Sequence, residues 1–112
     1  MKTFSSVCAQ GDILIRKIAA LPANAIAVEP ENGVNIVTHS ETGHHHVMDA
    51  GAATLYRLPN SIMDCLLVVT EPTPLKHLRS FDTHEPILFE PGTYHVRRQR
   101  EYTPEGFRRV ED

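Results

Sequence analysis

Cys65-Leu66-Leu67-Val68-Val69-Thr70 is a continuous apolar run, bounded by Pro59-Asn60-Ser61 on one side and by Pro72 and Pro74 on the other. Branched and apolar side chains between turn formers predict a short strand that is buried on both faces. The same punctuation recurs in both directions, with short apolar runs separated by Pro, Gly and Asn and no sustained 3.6-residue pattern. Strands are expected at Asp12–Ile18, Ala25–Glu29, Val34–His39, His44–Asp49 and Ala53–Leu58. Further strands are expected at Leu75–Leu78, Ile87–Glu90, Thr93–Tyr102 and Phe107–Val110. Asn32-Gly33 tolerates positive φ and predicts a hairpin between Ala25–Glu29 and Val34–His39. Ala50-Gly51 is expected to pair the two strands that flank it, and Pro91-Gly92 is a type II turn pair. Pro72 and Pro74 confine the segment before Leu75 to an edge or a loop. A helix near residues 13–21 is the one alternative, since Leu14, Ile18 and Leu21 share a helical face. About nine short strands without a repeat describe a single all-β domain over residues 1–112, a small barrel or a two-sheet sandwich.

A chain of 112 residues supports one core. With no Trp and few aromatics, that core rests on Ile, Leu, Val and Ala. Eleven basic and fourteen acidic residues leave a net charge of −3, which argues against a dedicated nucleic-acid binder. Arg97, Arg98, Arg100, Arg108 and Arg109 crowd the end of the chain, but Glu101, Glu105, Glu111 and Asp112 accompany them. Cys8 and Cys65 form no C-x-x-C motif, so two reduced thiols are expected. Arg16 and Lys17 interrupt the apolar run Ile13-Leu14-Ile15, so no signal peptide is read at the start. No stretch approaches a membrane span. The expectation is a soluble cytoplasmic protein.

Seven histidines are the chemical signal in this composition. Within Gly43-His44-His45-His46-Val47-Met48, strand alternation puts His44 and His46 on one face, roughly 6–7 Å apart, and sends His45 to the other. Two imidazoles on one face can converge on a divalent transition metal such as Zn, Fe, Mn or Ni. Other strands must then supply further ligands. His95, three residues after Pro91-Gly92, is the first candidate. Thr93, His95, Arg97, Gln99 and Glu101 share its face, which is either solvated or lines a polar cavity. If it lines a cavity, Arg97 and Gln99 are placed to hold an anionic substrate. His84 would lie four residues, roughly 13 Å, from His95 in a tight hairpin. A splayed corner at Pro91-Gly92, where the chain changes sheets, would bring it nearer. Glu41 is a candidate carboxylate ligand or general base. His39 lies beside it, and His77 has no evident partner.

Gly43-His44-His45-His46 and Pro91-Gly92-Thr93-Tyr94-His95 resemble the two motifs of the cupin family, the first carrying His-x-His and the second Pro-Gly ahead of another His. The resemblance spans roughly residues 34–100. It implies a cupin-like barrel or jelly-roll sandwich, with a metal held by His44, His46 and His95. The family's Glu after the His-x-His is absent here. Ala50 and Gly51 occupy that place, so Asp49 or Glu41 would have to substitute. Cupins span enzymes and non-enzymes, so fold alone does not choose.

The leading expectation is therefore a metal-binding protein, acting as a metal-dependent enzyme on a small polar or anionic molecule. His44, His46, His84 and His95 are its candidate ligands. Glu41 is placed for proton transfer, Arg97 and Gln99 for substrate binding, and Tyr94 for hydrogen-bond donation. The alternative is a non-catalytic ligand-binding or structural β-barrel. A third reading gives the C-terminal Arg-rich hairpin a nucleic-acid role, which the net negative charge disfavours. Exposed edges in a small barrel suggest a homodimer.

Overall fold

The computed structural model describes residues 3–10, 13–38, 45–77, 86–98, 100–103 and 106–109. The strands are β1 Val7–Gln10, β2 Ile13–Ile18, β3 Ile26–Ala27, β4 Val34–Thr38, β5 His46–Asp49 and β6 Ala53–Arg57. They continue as β7 Asp64–Val69, β8 Thr73–His77, β9 Ile87–Phe89, β10 Gly92–Arg98, β11 Arg100–Thr103 and β12 Gly106–Arg109. No helix occurs among the described residues, and Ile13–Ile18 is extended, so the helical alternative for that segment is not realised.

Ten of these strands form two antiparallel sheets, ordered β1-β2-β10-β7-β6-β3 and β4-β5-β8-β9, while β11 and β12 form a separate hairpin. The two sheets share one core, so the architecture is an all-β sandwich rather than a closed barrel. The larger sheet contributes Ile13, Ile15, Leu55, Leu67, Val69, Tyr94 and Val96, and the smaller contributes Val37, Met48, Leu75, Ile87 and Phe89. β7, the apolar run from which the fold was read, lies between β6 and β10, with Leu66 and Leu67 both buried although they point to opposite faces. Leu67 fills the core. Leu66 sits in the outer row between His95 and Tyr56.

Two expected hairpins are instead crossings between sheets. Asn32 and Gly33 do make a tight turn, with φ of 53° and 81° and a Glu31–Val34 bridge. Yet β3 goes on to pair with β6, and β4 with β5. Asp49–Ala52 likewise turns β5 out of the small sheet and into β6 of the large one, with the Gly51 amide donating to Asp49 Oδ1 at 2.8 Å. In both cases local turn chemistry bends the chain, while burial of apolar faces chooses the partner strand. Pro91-Gly92 also carries the chain between sheets, from β9 to β10. β8 contains Pro74 and lies inside its sheet, but its ladder to β5 involves only Lys76 and His77. Pro74 pairs with Leu88 of β9 alone, so its missing N–H falls where β8 has parted from β5.

Two buried amides tie the sheets together. Gln10 Nε2 donates to the Leu75 carbonyl at 3.0 Å, and Asn35 Nδ2 donates to the Ala53 carbonyl at 3.0 Å. Both residues are almost fully buried, where such bonds satisfy groups that would otherwise be costly to desolvate.

Candidate functional site

The face that β10 turns inward is set by its apolar residues. Tyr94 and Val96 belong to the core, so Arg98 follows them inward, while Thr93, His95 and Arg97 point outward. Of the two alternatives for this face, solvated or lining a polar cavity, His95 and Arg97 take the outward one. Arg97 keeps 61% of its side-chain surface exposed. His95 lies between Arg16 and Leu66 on the outer face of the large sheet.

On that face, Asp64 gathers three partners. The Ser61 hydroxyl donates to Asp64 Oδ2 at 2.6 Å, and His95 Nε2 meets Oδ1 at 2.7 Å. Arg97 Nη1 lies 3.7 Å from Oδ1. Burial pushes the Asp64 carboxyl up, but the hydrogen bonds from Ser61 and His95 and the charges of Arg97 and His95 outweigh it and hold the pKa below its ordinary value. The backbone amide of Met63 donates to Ser61 Oγ at 3.2 Å, which fixes the turn that carries the hydroxyl.

His46 is fully buried on the inner face of the small sheet, the side it shares with Met48. Its Nδ1 lies 2.8 Å from Gln10 Oε1. Because Gln10 Nε2 donates to Leu75, Oε1 is the end turned to His46 and accepts the proton from Nδ1. Neutral His46 therefore carries its hydrogen on Nδ1 and its lone pair on Nε2. His46 and His95 thus lie on different surfaces, one inside the sandwich and one outside the larger sheet, and the fold does not bring them together. Among the described residues, no three His, Cys, Asp or Glu side chains gather to hold a metal ion. His44, His84, Glu41 and Gln99, like His39, lie outside the described residues.

Tyr94 is occupied structurally. Its hydroxyl donates to the Glu90 carbonyl at 2.6 Å, and its ring packs against Phe89 and Phe4 at centroid distances of 4.7 and 5.6 Å. Burial, with the charge of Glu90 and the neighbouring Cys8, raises its pKa. It lies four residues before Arg98, about 13 Å along the strand, so it belongs to the opposite end of β10.

A cavity of about 170 Å³ opens between the sheets where β4 ends, β7 begins and β10 ends. Arg98, Cys65, Asp64 and Met63 line it from the large-sheet side, with Ile62 at the rim, and Val37 and Thr38 face them. Thr38 reaches it because of a bulge. Ile36 pairs with Val47 and Thr38 with His46, leaving one extra residue on β4. Strict alternation would send Val37 and Thr38 to opposite faces. The bulge turns both toward the cavity, opposite the buried His46. Thr38 Oγ1 is buried and has no hydrogen-bond partner among the described residues. Nε and Nη2 of Arg98 are also buried in this wall. Cys65 Sγ lies 3.6 Å from the Val37 carbonyl, and burial, reinforced by the Asp64 charge and partly offset by Arg98, pushes its thiol up to about 12. A larger hollow of about 240 Å³ beside Val34, Val47 and Pro74 includes Asp49, Thr73 and Lys76, but no buried guanidinium lines it.

Sequence reasoning missed Thr38, Asp64 and Cys65 as site residues, and Arg98 was legible only in part. Tyr94 and Val96 mark the inward face of β10 and place Arg98 on it. The bulge that redirects Thr38 has no comparable signal in Val34-Asn35-Ile36-Val37-Thr38.

Fold and site together define a two-sheet β-sandwich with a small cavity of mixed apolar and polar lining at one mouth. The chain belongs to the family described as domain of unknown function DUF8820, whose model matches residues 9–99. That match takes in nearly all of both sheets and stops before the β11–β12 hairpin. No curated protein and no solved structure matches the chain significantly. Among the described residues, no helix is long and apolar enough to cross a membrane.

Proposed function

We propose that this chain binds a divalent transition metal inside the sandwich and serves there as a metal-dependent protein for a small polar or anionic molecule. The observation that carries this reading is the hydrogen-bonded tautomer of His46. A metal-ligating imidazole typically donates its other ring N–H to a fixed acceptor, which orients the ring and raises its basicity. Gln10 is such an acceptor for Nδ1, so Nε2 of His46 carries the ligand lone pair. His44 supplies a second imidazole from the same His-x-His, and His84 a third. Glu41 stands as a fourth ligand or proton-transfer group. His95, held by Asp64 on the outer face, is not included. The resemblance to cupins belongs to this proposal. When bound, the metal would supply Lewis-acid polarisation of a substrate oxygen.

A second reading rests on the same bridge. The His46–Gln10–Leu75 chain of hydrogen bonds links the two sheets, so a metal at His46 would also brace the sandwich without catalysis. A catalytic metal keeps an exchangeable water, and a bracing one is closed by protein ligands. The test is elemental analysis of tag-free protein purified without chelators under reducing conditions. We expect about one equivalent of metal in the wild type and loss of it in His46→Ala and in His44→Ala. Metal-free wild type would overturn the proposal. So would retention of the metal by a folded His44→Ala protein.

A further inference from the structure

We infer that β1 is a docking edge for a second copy of this chain. The two β1 strands pair antiparallel about a two-fold axis and join the larger sheets of both copies into one. The pairing requires no metal and goes beyond the proposal above.

The ladder between β1 and β2 fixes which backbone groups face outward. Ser6 accepts a bond from the Lys17 amide at 2.8 Å, and the register sets Cys8 against Ile15 and Gln10 against Ile13. Antiparallel ladders alternate, so the backbones of Ser6, Cys8 and Gln10 turn to β2, while those of Val7 and Ala9 turn to the outer edge. β1 ends its sheet, and among the described residues no strand pairs with that side. Val7 keeps 53% of its surface and Ala9 is exposed, so a partner can reach both.

The other three sheet edges carry features that discourage strand addition. β3 is two residues long. β4 is bulged between Ile36 and Thr38. β9 has three residues, with Pro86 directly before it and Pro91 soon after. β1 runs in unbroken register, and Phe4–Gln10 contains neither a Pro nor a charged side chain.

The missing charge also selects the occupant. In a two-fold antiparallel pair, side chains near the axis stand close to their own copies, so a charged one would meet a like charge. An uncharged edge suits its own copy. The register that satisfies the outward groups sets Val7 against the partner's Ala9, and Ala9 against the partner's Val7, with each pair exchanging both bonds. Cys8 then faces the partner's Cys8 in a non-hydrogen-bonded pair, with Cα atoms about 4.5 Å apart, inside the range that a disulfide spans. So short a contact falls below the standard interface of about 1,600 Å². The dimer is therefore weak, with a Kd of about 0.1 mM.

The test is sedimentation velocity of the full chain from about 10 µM to about 1 mM, with oxidation by diamide to read the register. Diamide takes two electrons and two protons from a pair of Cys8 thiols and becomes a hydrazine, while the two sulfurs join. We expect a monomer at the low end, a dimer at the high end, and Cys8 joined to the partner's Cys8 in peptide maps. Ala9→Pro removes an amide that points away from β2, so the ladder to β2 persists while dimer affinity falls at least about tenfold. Val7→Lys/Ala9→Lys sets like charges across the contact and should stay monomeric throughout. Mixed with Val7→Glu/Ala9→Glu, it should form a heterodimer. A wild type that stays monomeric at the highest concentration overturns the proposal. So does a dimer that persists in folded Ala9→Pro or in the lysine variant, or one whose oxidation leaves Cys8 unjoined. If Ala9→Pro does not fold, the lysine and glutamate variants decide, and their failure to pair with each other also refutes the edge.

Discussion

Replacing Gln10 by Met isolates the polar bridge between the sheets. The side chain keeps its length and apolar bulk, so little cavity forms, but both amide hydrogen bonds vanish. The Leu75 carbonyl loses its donor at 3.0 Å, and His46 Nδ1–H loses its acceptor at 2.8 Å. Leu75 and His46 are both wholly buried, so water cannot readily replace the lost partner. At about 1–3 kcal/mol for each orphaned group, the expected loss is about 3 kcal/mol. A domain of 112 residues has a total stability of about 6–17 kcal/mol, so the change is a large fraction. With a urea slope of about 1–3 kcal/mol/M, the midpoint should fall by about 1.5 M at unchanged slope. Gln10→Ala should cost a further 1 kcal/mol or more, roughly, from the cavity it leaves. Making His46 apolar as well, in Gln10→Met/His46→Leu, should recover part of the loss, and the double-mutant cycle reports the coupling. Nitrogen NMR of the imidazole should show the proton on Nδ1 of His46 in the wild type and a mixed tautomer in Gln10→Met. A Gln10→Met protein within about 0.5 kcal/mol of wild type, at the same slope, would refute the bridge. A wild-type imidazole protonated on Nε2 would refute the tautomer.

Two further outcomes follow from the mouth of the sandwich. The folded pKa of Asp64 lies below the ordinary aspartate value of 3.8, so its contribution to stability is fully present above that value and disappears as pH falls through the folded pKa. The stability gap between wild type and Asp64→Asn, measured by urea melts, should close as pH falls from about 5 through the folded pKa; a gap that widened over that range would contradict the Ser61–Asp64–His95 arrangement. Cys65, with its thiol pushed up to about 12, should be almost wholly protonated at pH 8. In a Cys8→Ser background, native Cys65 should react with iodoacetamide roughly a thousandfold more slowly than after unfolding in urea. Rapid native labelling would show that the cavity wall is open at Cys65.

How much was legible varied from element to element. The run Cys65–Thr70 reads as a doubly buried strand because its composition leaves no polar face, and β7 occupies the middle of the large sheet. Asn32-Gly33 reads as a tight turn because Asn and Gly tolerate positive φ, and both adopt it here, at 53° and 81°. The partners of the strands on either side were not legible, because pairing is chosen by which apolar faces the whole chain can bury together. For the same reason Val7–Gln10, short and partly exposed, gave no strand signal, although it supplies the Gln10 bridge.

The site divides along similar lines. Period-two alternation, a property of any strand, predicts His44 and His46 on one face and His45 on the other, and the chemistry of imidazole makes metal the leading idea; His44 lies outside the described residues. Alternation could not say which face of β10 points inward, because that depends on what lies across the core. Tyr94 and Val96 fill that space, which sends His95 and Arg97 outside and draws Arg98 to the mouth. Nor could it foresee one extra residue in β4, which re-aims Thr38 into the cavity. Local sequence thus determined that the chain forms strands, where it turns and which side chains carry chemistry. Only tertiary packing decided which of those side chains meet, because the free energy that selects a face and a partner strand comes from burial shared across the core.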